Sequence, residues 1–239
     1  MLEDLPTVSQ DQVIAVVPIR SEDSAATLTI AGRSVLDGTV RALRAVPQIG
    51  AIVLALEGIE KTECLAAIEK PEELGISVAA SAGNRWQTID AALAIGGEAQ
   101  VVLLHDPDRP LVSAPAVTEL LAWSRELAAA VTAMPVHSSI KRVVDGQIVA
   151  TVPRELLHEA QSPWVFRRET LAAALRLAIE RGWPSGDELD LVRAARIPVH
   201  IAEGHRFNVP IVSPADARFA EMAAGHRFVS IPGRVISPA

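Results

Sequence analysis

One cysteine, three lysines, no tyrosine and an aromatic content of only 3% set the first limits on this 239-residue chain. A lone thiol excludes an internal disulfide framework and fits a reducing, cytoplasmic setting. Cys64 therefore reads as a small apolar packing residue. No uninterrupted apolar run approaches the roughly 18 residues of a membrane-spanning helix. The amino terminus, Met-Leu-Glu-Asp-Leu-Pro, lacks the basic region of a secretory signal, so no membrane partner is expected. The net charge of −7 argues against bulk nucleic-acid binding. Arginine supplies most of the positive charge, and the shortage of lysine matters because lysine is a common point-charge binder of triphosphates. Glycine is also missing where a phosphate-binding loop would need it. Pro18-Ile19-Arg20-Ser21-Glu22-Asp23-Ser24 has none, so the loop cannot freely use positive φ or approach phosphate closely. Glu22 and Asp23 add negative charge, which would repel any phosphate placed there.

What is present is apolar and periodic. Nearly half the residues are hydrophobic, enough for a large core. Residues 1–10 read as a mobile leader and 19–31 as a polar loop. Short buried runs predict strands at Val13–Pro18, Ala51–Leu56, Ile76–Ala79, Val101–Leu104, Val131–Pro135 and Val199–Ala202. Helical periodicity predicts helices at Ser34–Ala45, Thr62–Ile68, Asn84–Ile95, Pro115–Ala130, Glu169–Arg181, Glu188–Ala195 and Pro214–Ala224. This alternation predicts an α/β fold: a mostly parallel, twisted sheet of roughly six or seven strands with helices on both faces. The period-two stretch around Asp145-Gly146, a hairpin turn pair, departs from it. One domain over residues 1–239 is expected, with an arm at about 138–155. An exposed ribbon of that kind tends to be paired or covered, so a homodimer through the arm is expected.

The strand Val101–Leu104 ends abruptly in His105 and Asp106, with Arg109 three residues on. Ligands of α/β sheets sit at the carboxyl ends of strands, where an acidic and a basic group can hold a metal-bound phosphate and its acceptor. Asp106 could equally cap the next turn, with Arg109 as its partner. Arg85 could be a solvated residue opening a helix, and Ser139 and Lys141 ordinary ribbon residues. His137, His200, His205 and His226 are too scattered to suggest a metal site.

The order of elements and five segments within it resemble the 2-C-methyl-D-erythritol 4-phosphate cytidylyltransferase family. His105-Asp106-Pro107-Asp108-Arg109-Pro110 is similar to its H-D-A-A-R-P. Gly83-Asn84-Arg85-Trp86-Gln87-Thr88 is similar to G-x-x-R-x-x-S, and Pro135-Val136-His137-Ser138-Ser139-Ile140-Lys141 to P-V-x-D-T-[IM]-K. Arg154 followed by Ser162-Pro163 resembles an arginine before T-P-Q, and Gly186-Asp187-Glu188 resembles T-D-[ED]. Ribitol-phosphate cytidylyltransferases share much of this pattern. The resemblance spans about Val13 to Ala224 and implies a Rossmann-like or glycosyltransferase-A-like nucleotidyltransferase fold. It implies transfer from CTP to a sugar-alcohol phosphate, as in isoprenoid precursor synthesis, with Mg²⁺ as cofactor. Arg20 and Asp106 would be catalytic, with Asp106 on the metal. Pro18, Gly83, Arg85 and Thr88 would face the nucleotide. Arg109, Ser139, Arg154 and Ser162 would hold the acceptor, Arg154 across a dimer.

The chain departs from that pattern at its phosphate chemistry. The family's first strand runs into P-A-A-G-x-G-x-R; the loop here is shorter and lacks glycine. Ala25 and Pro210 stand where the family has lysines, Gly186 where it has threonine and Trp164 where it has glutamine. Three functions follow: a nucleotidyltransferase with a remodelled loop, a catalytically impaired homologue acting as a binding or partner protein, or a transferase of another specificity on the same sheet.

Overall fold

The structure, a computed structural model, describes residues 13–224 except 24, 26, 82 and 185. The leader at 1–10 and His226 lie outside the described residues. At the centre runs β1 (Val13–Arg20), buried at every position but the last. An unbroken apolar run is what an interior parallel strand needs, because both faces are covered. Val13, Ala15, Val17 and Ile19 enter one layer of core; Ile14 and Val16 enter the other. After a small hairpin, β2 (Thr29–Ile30) and β3 (Arg33–Ser34), come α1 (Val35–Arg44), β4 (Ile49–Glu57), α2 (Lys61–Ala66), β5 (Ile76–Ala80), α3 (Arg85–Ile95), β6 (Val101–Leu104), α4 (Ala114–Trp123) and β7 (Ala129–Pro135). The arm is β8 (Ile140–Val144) with β9 (Gln147–Val152), followed by β10 (His158–Arg167), α5 (Arg168–Arg181), α6 (Glu188–Ala194), β11 (His200–Glu203) and α7 (Pro214–Ala224).

The seven-stranded sheet has the order β11-β7-β10-β6-β1-β4-β5. The pairs β5-β4, β4-β1, β1-β6 and β7-β11 are parallel. β10 is antiparallel to both neighbours. One face is covered by α1, α2, α4 and α7, the other by α3, α5 and α6. This is the mostly parallel, doubly covered sheet that the alternation predicts. Cys64 is fully buried in the first layer; burial, with Glu63 adding, pushes its thiol up to about 11, so it packs as an inert group.

Two elements differ from the sequence reading. The longest strand, β10, is not predicted, because Pro163 interrupts its apolar run and proline cannot donate to a ladder. The structure absorbs that proline at a register irregularity between Gln161 and Trp164, and the strand continues through Val165 and Phe166 into the core. The predicted helix Pro115–Ala130 stops at Trp123. The alanines at 129 and 130 continue a helical pattern, yet they pair with Phe166 and Val165 in β7. Tertiary pairing overrides propensity there.

The arm turns at Asp145-Gly146, both at positive φ, as a two-residue hairpin turn requires. It forms its own two-stranded sheet, exposed at every position of β8. Among the described residues no helix is long and apolar enough to cross a membrane.

Candidate active site

The carboxyl ends of β1, β4 and β6 open on one side of the sheet. There they meet the middle of β10 and the loop before α6. The cleft between them holds about 420 Å³ and is lined by Arg20, Glu22, Glu57, Arg85, Asp106, Trp164, Gly186 and Asp187. Four carboxylates thus face two guanidinium groups.

Both guanidiniums are engaged. Arg20 reaches Glu22 at 3.3 Å and Asp23 at 3.4 Å, while its backbone N–H donates to Asp23 at 2.8 Å. The loop after β1 therefore closes on its own acids. Arg85 opens α3 and donates through Nε to Glu188 at 2.5 Å and through Nη2 at 3.3 Å. This is a bidentate pair, the strongest carboxylate geometry available to arginine. Glu188 is fully buried and lies 103 residues away in sequence. Burial raises its carboxyl above the ordinary range despite the pull of Arg85. At Arg85 burial weighs against the charge, but Glu188 outweighs it and Asp106 and Glu57 add to it, so the guanidinium pKa is raised.

A neutral relay holds Asp106. His105 is buried, and burial lowers its pKa to about 4, so its ring is uncharged at neutral pH. Nε2 lies 3.0 Å from the Arg109 carbonyl. A carbonyl can only accept, so Nε2 carries the proton and Nδ1 accepts from the Ser162 hydroxyl at 3.0 Å. The Asp106 backbone N–H then donates to Ser162 Oγ at 2.9 Å. Arg109 closes the turn, with Nε donating to Asp106 at 3.0 Å and Nη1 to the Asn208 carbonyl at 2.6 Å. The Asp106–Arg109 pairing, the plainer of the sequence readings, is present. The Asp106 side chain remains one-third exposed at the cleft.

The structure brings Arg20, Arg85 and Asp106 together. Pro18 is buried in β1. Gly83 precedes the Asn84 cap of α3, where a Cβ would lie 1.8 Å from Gln87 Oε1; that side chain completes the capping box. Thr88 is buried, its hydroxyl donating to the Asn84 carbonyl at 3.2 Å. Arg109 and Ser162 are buried behind Asp106. Ser139 and Arg154 lie exposed at the base of the arm, where Arg154 donates to the His137 carbonyl; neither lines the cleft. Sequence reasoning missed Glu57, which ends β4 without any motif. It also missed Glu188 as the partner of Arg85, although Asp187-Glu188 at a helix start was a usable signal: Asp187 caps α6.

The family model of 2-C-methyl-D-erythritol 4-phosphate cytidylyltransferase matches residues 19–225. A curated protein of that name from Symbiobacterium thermophilum is 34% identical over 197 residues, which is 82% of this chain and 82% of the relative. Another from Desulforamulus reducens is 33% identical, covering 81% of this chain and 85% of the relative. The crystal structure of the Thermus thermophilus enzyme of the same name superposes with a TM-score of 0.73 at 27% identity, covering 88% of this chain and 98% of that one.

Proposed function

The chain belongs to the 2-C-methyl-D-erythritol 4-phosphate cytidylyltransferase family, and from that premise we propose that it transfers the cytidylyl group of CTP to a sugar-alcohol phosphate, slowly. An oxygen of the acceptor phosphate attacks the α-phosphorus of CTP, the bond to the β-phosphate breaks and pyrophosphate leaves. Residues 13–224 act as one unit from which the 138–155 arm projects. The observation that carries the reading is the placement of Asp106 and Arg85 at one cleft on the carboxyl edge of the sheet, within segments that resemble the family's own.

Charge on the α-phosphate and pyrophosphate grows during transfer, so positioning and cationic stabilisation supply the rate. Among the described residues no three metal-ligating side chains cluster. Mg²⁺ commonly uses one or two carboxylates plus substrate phosphates, which fits the exposed edge of Asp106. Bound there, it would supply charge neutralisation at the transferring phosphate. Arg85, fixed by Glu188, would orient the nucleotide.

The rate is held down by the loop. Its only guanidinium, Arg20, is already paired with Glu22 and Asp23, and Ala25 is buried where the family pattern has a lysine. CTP is therefore expected to bind at about millimolar or weaker, with little dependence on Mg²⁺; a micromolar constant by calorimetry would overturn this. Pyrophosphate release from CTP and 2-C-methyl-D-erythritol 4-phosphate should fall well below about 1 s⁻¹, the low end of ordinary turnover. A rate at or above that value sinks the slow-enzyme reading. The same acidic, self-paired cleft favours a second reading, a binding or partner protein without turnover, which complete absence of pyrophosphate would select.

The arm carries the expectation of a homodimer. Val143, Val144, Ile148 and Val149 are 51–67% exposed, a large apolar surface for one ribbon. Sedimentation at micromolar concentration should give a dimer, and Ile148→Asp with Val149→Asp should give a monomer. A monomeric parent chain removes the arm as an interface and leaves Arg154 without a partner site.

A further inference from the structure

We propose that a second cleft, at the amino edge of the sheet, binds a small multiply charged anion of the phosphorylated-metabolite class through Arg125, Arg167 and Arg168. The cleft holds about 860 Å³, within the roughly 300–1,000 Å³ of small-molecule sites. Ala99, Val101 and Ser124 form its buried floor. It lies where β6 begins and β10 ends, whereas Asp106 follows the other end of β6, so the two clefts are separate.

The charge pattern points to an anion. In a chain of net charge −7, six of the seventeen described arginines pair with a carboxylate; what marks this cleft is that three of the remaining eleven converge on it. Among the described residues none of the three arginines of this cleft has one within 4 Å. Glu98 and Glu169 are the opposing charges, both exposed at its edge, where solvent screens them.

Two of the guanidiniums are fixed without being neutralised. Arg167 donates to the Ser124 carbonyl at 3.4 Å and the Arg125 carbonyl at 2.6 Å. Arg168 donates to the Leu93 carbonyl at 2.6 Å and to that of Gly97. Carbonyl partners set orientation but leave the positive charge in place, which is the preorganisation that phosphate recognition by arginine uses. Arg125 differs: its Nε is buried and has no hydrogen-bond partner. Buried donors in folded proteins are nearly always satisfied. That Nε is closed to the cleft, so an oxyanion there would meet Arg125 through its charge rather than at Nε.

The test is a titration of the full chain with inorganic phosphate, and separately with pyrophosphate, followed by ¹H–¹⁵N correlation spectra that include arginine Nε–H signals. Saturable shifts are expected at Gln100, Ser124 and Arg168. Arg125 is the informative variant because its side chain holds no backbone carbonyl. Arg125→Gln should weaken binding about tenfold, the usual worth of a charged hydrogen bond, with an unchanged melting temperature. Arg125→Lys, which keeps the charge, should weaken it less. Asp106→Asn should leave these shifts unaltered. Shifts that do not saturate, shifts confined to the Asp106 cleft, or parent-like binding by Arg125→Gln each overturn the proposal.

Discussion

Asp106→Asn is expected to cut pyrophosphate release from CTP by about 10²–10³-fold, the usual cost of one electrostatic contact to the transition state, while the protein still folds. Asparagine is the informative substitution. Arg109 is only 9% exposed in its side chain and donates Nε to Asp106. Alanine would leave that guanidinium buried and without its carboxylate, which is strongly destabilising in its own right. Asparagine keeps an oxygen for Nε and preserves the backbone N–H that donates to Ser162. What it removes is the charge that would face the metal-bound phosphate. A parent-like rate in Asp106→Asn, measured with the melting temperature alongside, would show that the reacting phosphate sits elsewhere. A collapsed melting temperature would show instead that the carboxylate is chiefly the counter-charge of Arg109.

The sheet was legible where burial is uniform. Val13–Ile19 and Val101–Leu104 are apolar at every position because both faces are covered, and their runs need no context to be read. The arm was legible for the opposite reason: Asp145-Gly146 declares its turn locally. β10 was hidden because its signal is split by Pro163. Its order in the sheet, between β6 and β7, depends on contacts more than fifty residues away, such as Ser162 with His105. The overextended α4 has a similar cause: Ala129 and Ala130 are neutral between helix and strand until β10 arrives beside them.

The site was legible as motifs but not as charges. Arg85, Asp106 and Arg109 could be picked out by residue type and neighbourhood. Their state could not, since it is set by Glu188 on another element and by the Asn208 carbonyl. The acidic loop reads from sequence as a source of repulsion. The structure adds that its acids first take up Arg20, so the one cation of the loop, expected to be catalytic, is already spent locally.

Asp108 carries the second large effect. It stands where the family pattern has alanine, and its Oδ1 is buried without a hydrogen-bond partner. Burial raises its pKa from 3.8 to about 6; Asp106 and Asp23 add to the rise, and Arg109 opposes it. Between pH 3.8 and about 6 the folded chain holds a proton that the unfolded chain has released. Stability contributed by this group is therefore present below pH 3.8 and lost as pH rises through 6. Asp108→Ala removes the group, so at pH 7–8 it should be more stable than the parent by as much as about 3 kcal/mol, two units of pKa at about 1.4 kcal/mol each. The advantage should shrink as pH falls from 6 to 4. His105 has the opposite sign: its pKa is lowered to about 4, and its stabilising contribution fades as pH falls from 6.5 toward 4. It is present in both proteins and cancels in the difference to first order. Urea unfolding of both proteins at pH 8, 6, 5 and 4 measures the difference directly. A gap that does not change with pH, or a less stable Asp108→Ala at pH 8, would mean that Asp108 is ionised at no cost in the folded chain. In that case the negative charge behind Asp106 is permanent across this range.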